Sequence, residues 1–407
     1  MSGPAESASH RLGFVATALL LSLLMASLPL SVDSTLPSMP LAAADFGVSD
    51  GTIQFSLSVF MAGIAIGQLF YGPVSDRFGR RPVLLAAFCV FVAAVAGCAL
   101  SASFESFIAL RFVQGLAACA ASVLARAIVR DLFDREEAAK MFAYVMMLYG
   151  LAPVIGPVLG AHLTVSLGWR AVYWFLALYG LLALAVAWRA LGETAPARRL
   201  DALRPGPLLR TYSRVLGSRV FVGYMAMLSA CFCGLFAFLA ASATSLINHI
   251  GVPVETYGYL FAGCMMVFVA GSWLAARLVG RRSIHFMIVT GGATMACAGI
   301  VMAALGLARI DTVWAIVLPM AVFMFAFSFI VPAGQAAAMQ IFPDIAGAAS
   351  SVLGCVQLTL SAATGLALGH FADGTQLPMT VAIGIASLCP VPIYLSVVRV
   401  PLARRIC

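Results

Sequence analysis

An all-α membrane protein of twelve transmembrane helices, arranged as two six-helix bundles, is the fold class the sequence predicts. Three observations carry this. The chain of 407 residues is 62% apolar, and Asp, Glu, Lys and Arg make up only 10% of it. Soluble domains are about 45–50% apolar and about 25% charged, so no soluble fold of this size could cover itself with so few charges. The apolar residues also come in long unbroken runs, not in the alternating or 3.6-residue pattern of half-buried elements. Finally, the runs fall into two sets of six on either side of a polar stretch, 191–218, rich in Arg and Pro.

A helix crosses the ~30 Å hydrocarbon core in about 20 residues. Runs of that size lie near 12–40, 52–74, 82–102, 104–125, 138–165 and 171–190, then near 219–247, 257–279, 284–307, 312–340, 345–371 and 376–398. They are taken as spans 1 to 12. The first run continues well past the ~7–15-residue apolar region of a signal peptide, so it reads as a span rather than a cleaved leader. A β-barrel would need shorter segments of alternating polarity, and none is seen. The expected organisation is an N-terminal bundle over 1–190, a cytoplasmic linker over 191–218 and a C-terminal bundle over 219–407.

Loop arginines set the orientation, because Lys and Arg concentrate on the cytoplasmic side. With the N-terminus inside, that side holds twenty-one basic residues and the other side two, Arg170 and Arg309. Both termini are then cytoplasmic, and a bacterial inner membrane is the expected location. The net charge of +8 follows from this placement and calls for no nucleic-acid partner. The ten Cys are scattered, mostly inside apolar runs, where free Cys behaves as a small hydrophobe. No metal-type spacing appears.

The densest motif is Gly67-Gln-Leu-Phe-Tyr-Gly72-Pro73-Val-Ser-Asp76-Arg77-Phe-Gly79-Arg80-Arg81, between spans 2 and 3. A topogenic loop would explain the arginines but not Gly72, Asp76 and Gly79 at fixed offsets around them. Glycine permits positive φ and close backbone approach. An Asp there can face a helix N-terminus and pair with an Arg of a neighbouring span. After span 8 the chain again reads Gly280-Arg-Arg, without the Asp, which fits parallel repeats of one half in the other.

Span 4 carries Arg111-Phe-Val-Gln114-Gly115. An Arg in hydrocarbon costs on the order of 2.5–3.5 kcal/mol on insertion scales and normally faces the bundle interior with a partner. About seven residues into the span, Arg111 is roughly 10 Å deep at 1.5 Å per residue, so snorkelling to the surface is the alternative reading. Its natural partner is Asp33, the sole acid within span 1 and at a matching level. Asp33 opens Asp33-Ser-Thr-Leu-Pro37-Ser-Met-Pro40. Span 5 holds Gly150-Leu-Ala-Pro153-Val-Ile-Gly156-Pro157-Val-Leu-Gly160, with the small residues that let membrane helices approach closely.

These motifs resemble the major facilitator superfamily. The 67–81 stretch looks like its loop 2–3 signature, Arg111 to Gly115 its RxxQG element, and Gly150 to Gly160 its antiporter motif, which implies export. The run from Asp33 to Pro40, and Arg126-Ala-Ile-Val-Arg130-Asp131 at the end of span 4, resemble the Bcr/CflA-type drug exporters of the bicyclomycin and chloramphenicol resistance group. The resemblance covers essentially the whole chain, although its specific motifs lie almost all in the first half. It implies the major facilitator fold and a cytoplasmic latch built from Gly72, Asp76, Arg77, Gly79, Arg80, Arg81, Arg126 and Arg130. It also implies proton-coupled antiport of small amphipathic drugs. Some exporters of this type carry an acid earlier in span 1, where this chain has Leu23, Leu24, Met25 and Ala26.

Asp33 and Arg111 are therefore the expected proton-coupling residues. Substrate contacts are expected from the same pair with Met61, Met147, Phe236, Met265 and Gln357, since Met repacks easily around varied ligands. The other polar residues of the second-half spans, Asn248, Gln335, Gln340 and His370, read as helix–helix bonds. No HExxH or paired intramembrane Asp marks an enzyme, and no ring of charges marks a channel. No GxxxxGK[ST] sequence offers ATP as the direct energy source, and no cofactor is expected. The expected partners are a small-molecule substrate, protons and membrane lipid, and the expected state is a monomer. A physiological metabolite, such as an amino acid, a sugar or a short peptide, is the alternative cargo.

Overall fold

The computed structural model describes residues 13–195 and 205–399. The N-terminal segment with Arg11, residues 196–204 of the linker, and the tail with Arg404 and Arg405 lie outside the described residues. Twelve helices are long and apolar enough to cross a membrane. Spans 1 to 6 are Phe14–Phe46, Asp50–Phe78, Arg80–Leu100, Phe104–Leu132, Glu136–Leu167 and Trp169–Ala190. Spans 7 to 12 are Arg219–His249, Val254–Leu278, Ile284–Leu307, Val313–Gln340, Pro343–His370 and Leu377–Val398. Among the described residues no β-strand forms.

In the first bundle span 2 packs on span 4, span 3 on spans 4 and 6, and span 1 runs against spans 4, 5 and 6. In the second, span 9 packs on spans 10 and 12, span 8 on span 10, and span 7 on spans 10, 11 and 12. The bundles meet chiefly through two pairs, span 2 with span 11 and span 5 with span 8, with smaller contacts of span 7 on spans 1 and 2 and of span 8 on span 1.

Several spans are broken, and the sequence explains where. Span 1 is helical over Phe14–Asp33, turns through a short Leu36–Ser38 segment and resumes over Met39–Phe46. Pro37 and Pro40 lack the N–H that a continuous helix requires. Ser34 Oγ bonds the Leu30 carbonyl and Thr35 Oγ1 the Ser31 and Val32 carbonyls, satisfying backbone oxygens around the break. Span 5 divides at Gly150 and Leu151, between Arg135–Tyr149 and Ala152–Leu167. Span 7 ends in a π-helical turn, Thr244–His249, a geometry found often at functional sites.

Within the polar linker an amphipathic helix forms, Pro205–Leu216. Its Tyr212 Oη donates to the Leu69 carbonyl at 3.3 Å, and Arg214 pairs with Asp344 at 2.9 Å. It thus ties the end of span 2 to the start of span 11. This face is termed the linker side, and the opposite one the far side.

Candidate functional site

The break in span 1 sets Asp33 at the end of a half-helix, where it is 6% exposed. The room for that break comes from span 5. A Cβ on Gly160 would run into the Ser34 carbonyl, and one on Gly156 would lie 3.2 Å from the Asp33 Cβ. Only glycine lets span 5 lie this close to the turn. Tyr149 of span 5 and Tyr257 of span 8 both stand within electrostatic range of Asp33. Tyr257 is fully buried and bonds Ser242 of span 7 at 2.9 Å. Both bundles thus contribute to the surroundings of this carboxyl group. Pro153 opens the second half of span 5 beside the Gly150 break, and the Pro157 carbonyl lies against Gly258 of span 8.

Arg111 is fully buried, so it does not snorkel. The expected contact with the Asp33 carboxylate is absent among the described residues. Arg111 Nη1 instead bonds Gln114 Oε1 at 2.9 Å and the Ser31 carbonyl at 3.4 Å, and its guanidinium lies 4.5 Å from the Phe60 ring centroid. Its Nε and Nη2 have no partner. The cause is directional: Arg111 approaches span 1 from span 4, while the Asp33 Cβ faces span 5. The two groups share one level and flank the same turn on different sides.

A cavity of about 450 Å³ lies between the bundles, bordered by spans 1, 2, 4, 5, 7, 10 and 11. Met61, Phe236 and Gln357 line it, and so do Met25, Met146, Tyr149, Phe232 and Gln335. Asp33 and Arg111 do not. Met147 is 62% exposed and turned away, while its neighbour Met146 faces the cavity. Successive helical residues differ by about 100°, and the sequence does not fix that rotation. Met265 is buried in the second bundle's core instead.

Toward the linker side the cavity adjoins a vestibule of about 1190 Å³, and Arg126, Met339 and Ser350 line both. Toward the far side the bundles touch. Gly51 and Gly369 bring the backbones of spans 2 and 11 together, Gln54 Nε2 donates to Thr244 Oγ1 at 3.3 Å, and Asn248 donates to both Asp50 oxygens at 2.8 Å.

The 72–81 motif is organised by Gly79, whose φ of +103° suits only glycine. This turn lays Arg80 back on Asp76 at 2.5 Å and across to Asp131 of span 4 at 3.0 Å. Asp76 thus pairs with an Arg of the neighbouring span 3, which Arg80 opens, but it is not the carboxylate that meets the end of that helix. The carboxylate at the start of span 3 is that of Glu193, which accepts from the Arg80 backbone N–H at 2.8 Å. Arg81 donates to the Trp188 carbonyl at 2.8 Å, and Arg77 is exposed over the Phe78 ring. Gly72 meets nothing within 4 Å where a Cβ would sit, so it is no packing contact. Arg126 and Arg130 do not join this network. Arg130 lines the vestibule, and Arg126, one turn deeper in span 4, reaches the cavity. The repeated Gly280 also has positive φ, +83°.

Sequence reading alone missed Arg126 as a cavity residue, and Tyr149, Tyr257, Glu193 and the Asp50–Asn248 contact altogether. Only Arg126 left a usable signal, a cation just past the apolar run 104–125 with three more apolar residues behind it.

Comparison with known proteins agrees with this geometry. The sequence profile of the Major Facilitator Superfamily matches residues 15–366. A "Bicyclomycin resistance protein homolog" of Haemophilus influenzae is 31% identical, covering 94% of this chain and 95% of that protein. "Multidrug resistance protein D" of Escherichia coli is 30% identical, covering 83% and 84%. Among solved structures, a D-xylose–proton symporter superposes with a TM-score of 0.74 at 15% identity, over 94% of this chain and 97% of that one. The twelve spans, the paired bundles and these matches establish that the chain belongs to the Major Facilitator Superfamily of membrane transporters.

Proposed function

We propose that this protein exports small amphipathic drugs, of the bicyclomycin or amphenicol type or more broadly, in exchange for protons. The observation that carries the proposal is the central cavity. It is lined mainly by flexible and aromatic apolar side chains, reached from the linker side and sealed on the far side. An amino acid or sugar would call for a cradle of paired polar groups, so the lining favours drugs over the metabolite alternative. The names borne by the relatives point the same way.

In this reading the linker side faces the cytoplasm of a bacterium and both termini lie there, in accord with the arginine asymmetry. The protein works as a monomer in the inner membrane. Residues 72–81, through the Arg80 network, hold the cytoplasmic ends of spans 2, 3 and 4 as one piece while the bundles rock. Asp33 takes up a proton from the far side and releases it on the linker side, and Arg111 adjusts its affinity by approaching or withdrawing. A free Asp has a pKa of about 3.9, too low to carry protons near neutrality, so the buried setting is essential. Arg111 resting on the Ser31 carbonyl, with two nitrogens free, supports a withdrawn arrangement here.

The test is a resistance profile in a host stripped of its own pumps. Expression should raise tolerance to chloramphenicol or bicyclomycin, and everted vesicles should accumulate the same compound until an uncoupler is added. An unchanged profile together with uncoupler-sensitive export of an amino acid or sugar would select the alternative.

A further inference from the structure

We infer that the central cavity selects neutral or anionic amphiphiles bearing hydrogen-bond acceptors and excludes lipophilic cations, with Arg126 and Gln357 as the groups that hold the acceptor. The inference rests on reading this cavity as the drug site and specifies what that site accepts.

Among the residues lining the cavity, Arg126 alone carries a charge. Its Nε donates to the Ser122 carbonyl at 3.0 Å, Nη1 to Ser350 Oγ at 3.1 Å and Nη2 to Gln68 Oε1 at 3.3 Å. All three partners are neutral, and no carboxylate pairs with it among the described residues. A guanidinium has five N–H groups, so two remain for a ligand, and its positive charge stands uncompensated. The acids nearby are elsewhere: Asp33 lies outside the lining, and of the vestibule acids Asp76 and Asp131 are held by Arg80 while Asp134 caps the start of span 5.

A second observation is independent of the first. Gln357 and Ser361, one turn apart on span 11, line the same cavity at 4% and 1% exposure. Gln357 Nε2 and Ser361 Oγ are both without hydrogen-bond partners. A buried donor left unmade is unfavourable, so these groups are poised for an acceptor that arrives with the ligand. The cavity therefore offers N–H and O–H donors around a lone cation within apolar walls. A carbonyl, nitro or carboxylate group on an amphipathic body fits this. A lipophilic cation meets a like charge in surroundings that screen far less than water, with no acid to receive it.

The test is equilibrium binding to the purified full chain in detergent. Tetraphenylborate and tetraphenylphosphonium share one shape and differ in sign, and chloramphenicol supplies a neutral, acceptor-rich probe. Wild type should bind tetraphenylborate at least about tenfold more tightly than tetraphenylphosphonium, and should bind chloramphenicol. Arg126→Gln should bring the first two together, Arg126→Lys should preserve the preference, and Arg126→Glu should reverse it. Gln357→Leu should weaken chloramphenicol about tenfold, the range for a hydrogen bond lost at a buried site, and leave tetraphenylborate unchanged. Melting temperatures establish that each variant is folded, and Arg126→Lys controls for structural loss. Equal binding of the two ions by wild type, a ratio unmoved in Arg126→Gln, or no binding of any probe overturns the inference. Chloramphenicol binding without export would defeat the export reading and leave the selectivity standing, whereas export of tetraphenylphosphonium alongside chloramphenicol would do the reverse.

Discussion

Arg80 sits between two carboxylates, Asp76 at 2.5 Å and Asp131 at 3.0 Å, with a largely buried side chain. Either acid alone can still compensate the guanidinium, so the network is redundant by construction. Asp76→Asn and Asp131→Asn should each lower the melting temperature by a few degrees and slow transport modestly. The double variant should fall by clearly more than the sum, since groups in one network couple by about 0.5–3 kcal/mol. Additive losses would show that Arg80 is held by something else. Asp33 is the opposite case, a buried acid to which no described residue donates. Asp33→Asn should abolish uphill export while still permitting exchange of labelled for unlabelled drug across a vesicle membrane, because exchange needs binding and rocking but no proton. A variant that still builds an uncoupler-sensitive gradient would place the proton elsewhere. Arg111→Lys should not replace Arg111, because an ammonium lacks the planar face that lies over Phe60 at 4.5 Å.

At the level of elements, the close approach of span 5 to the turn in span 1 carries the clearest consequence. Gly160→Ala puts a methyl group into the Ser34 carbonyl, with backbone rather than a flexible side chain in the way. It should impair export strongly and lower thermal stability, and Gly156→Leu should do likewise through the Asp33 Cβ. Gly72→Ala, with open space around it, should change stability by less than about 0.5 kcal/mol. Equal tolerance at Gly160 and Gly72 would mean that spans 1 and 5 separate freely. These elements also show what a sequence discloses. Ten of the twelve spans were legible to within four residues at each end, because hydrocarbon thickness fixes their length and water fixes their ends, whereas spans 1 and 4 run six and seven residues further than their apolar runs. The Asp33–Pro40 break could be seen as a motif, since two prolines must interrupt a helix. Side-chain facing was not legible. Met146 and Met147 differ only by a rotation that neighbouring helices set, and Arg126 looked like a loop cation because it stands four residues from Arg130. Asp33 and Arg111 were correctly placed at one level, but no pattern within one helix tells which side of a neighbouring turn its Arg will reach.

The whole molecule is asymmetric across the membrane, with a vestibule on the linker side and interbundle contacts on the far side. Asn248 bridges to Asp50 through two bonds of 2.8 Å. Asn248→Asp would set two carboxylates against each other there, so cysteines placed along the cavity should become more reactive from the far side and less from the linker side. Unchanged reactivity would mean that the span 2 and span 11 backbones alone seal that face. The charge of the cargo then decides which part of the proton gradient drives the cycle. If a neutral molecule leaves for each proton that enters through Asp33, one net positive charge moves inward per turn. Membrane potential then contributes about 2.3 kcal/mol per 100 mV, or roughly fifty-fold in concentration, alongside the pH difference. A singly charged cation exchanged for one proton would move no net charge and would ignore the potential. In proteoliposomes with equal pH on both faces, a valinomycin-imposed potassium potential of the correct sign should therefore drive chloramphenicol uphill, and reversing its sign should drive efflux of preloaded drug. Export that follows the pH difference and is indifferent to potential would mean that the exchange moves no net charge, and the pairing of one proton with a neutral substrate would have to be abandoned.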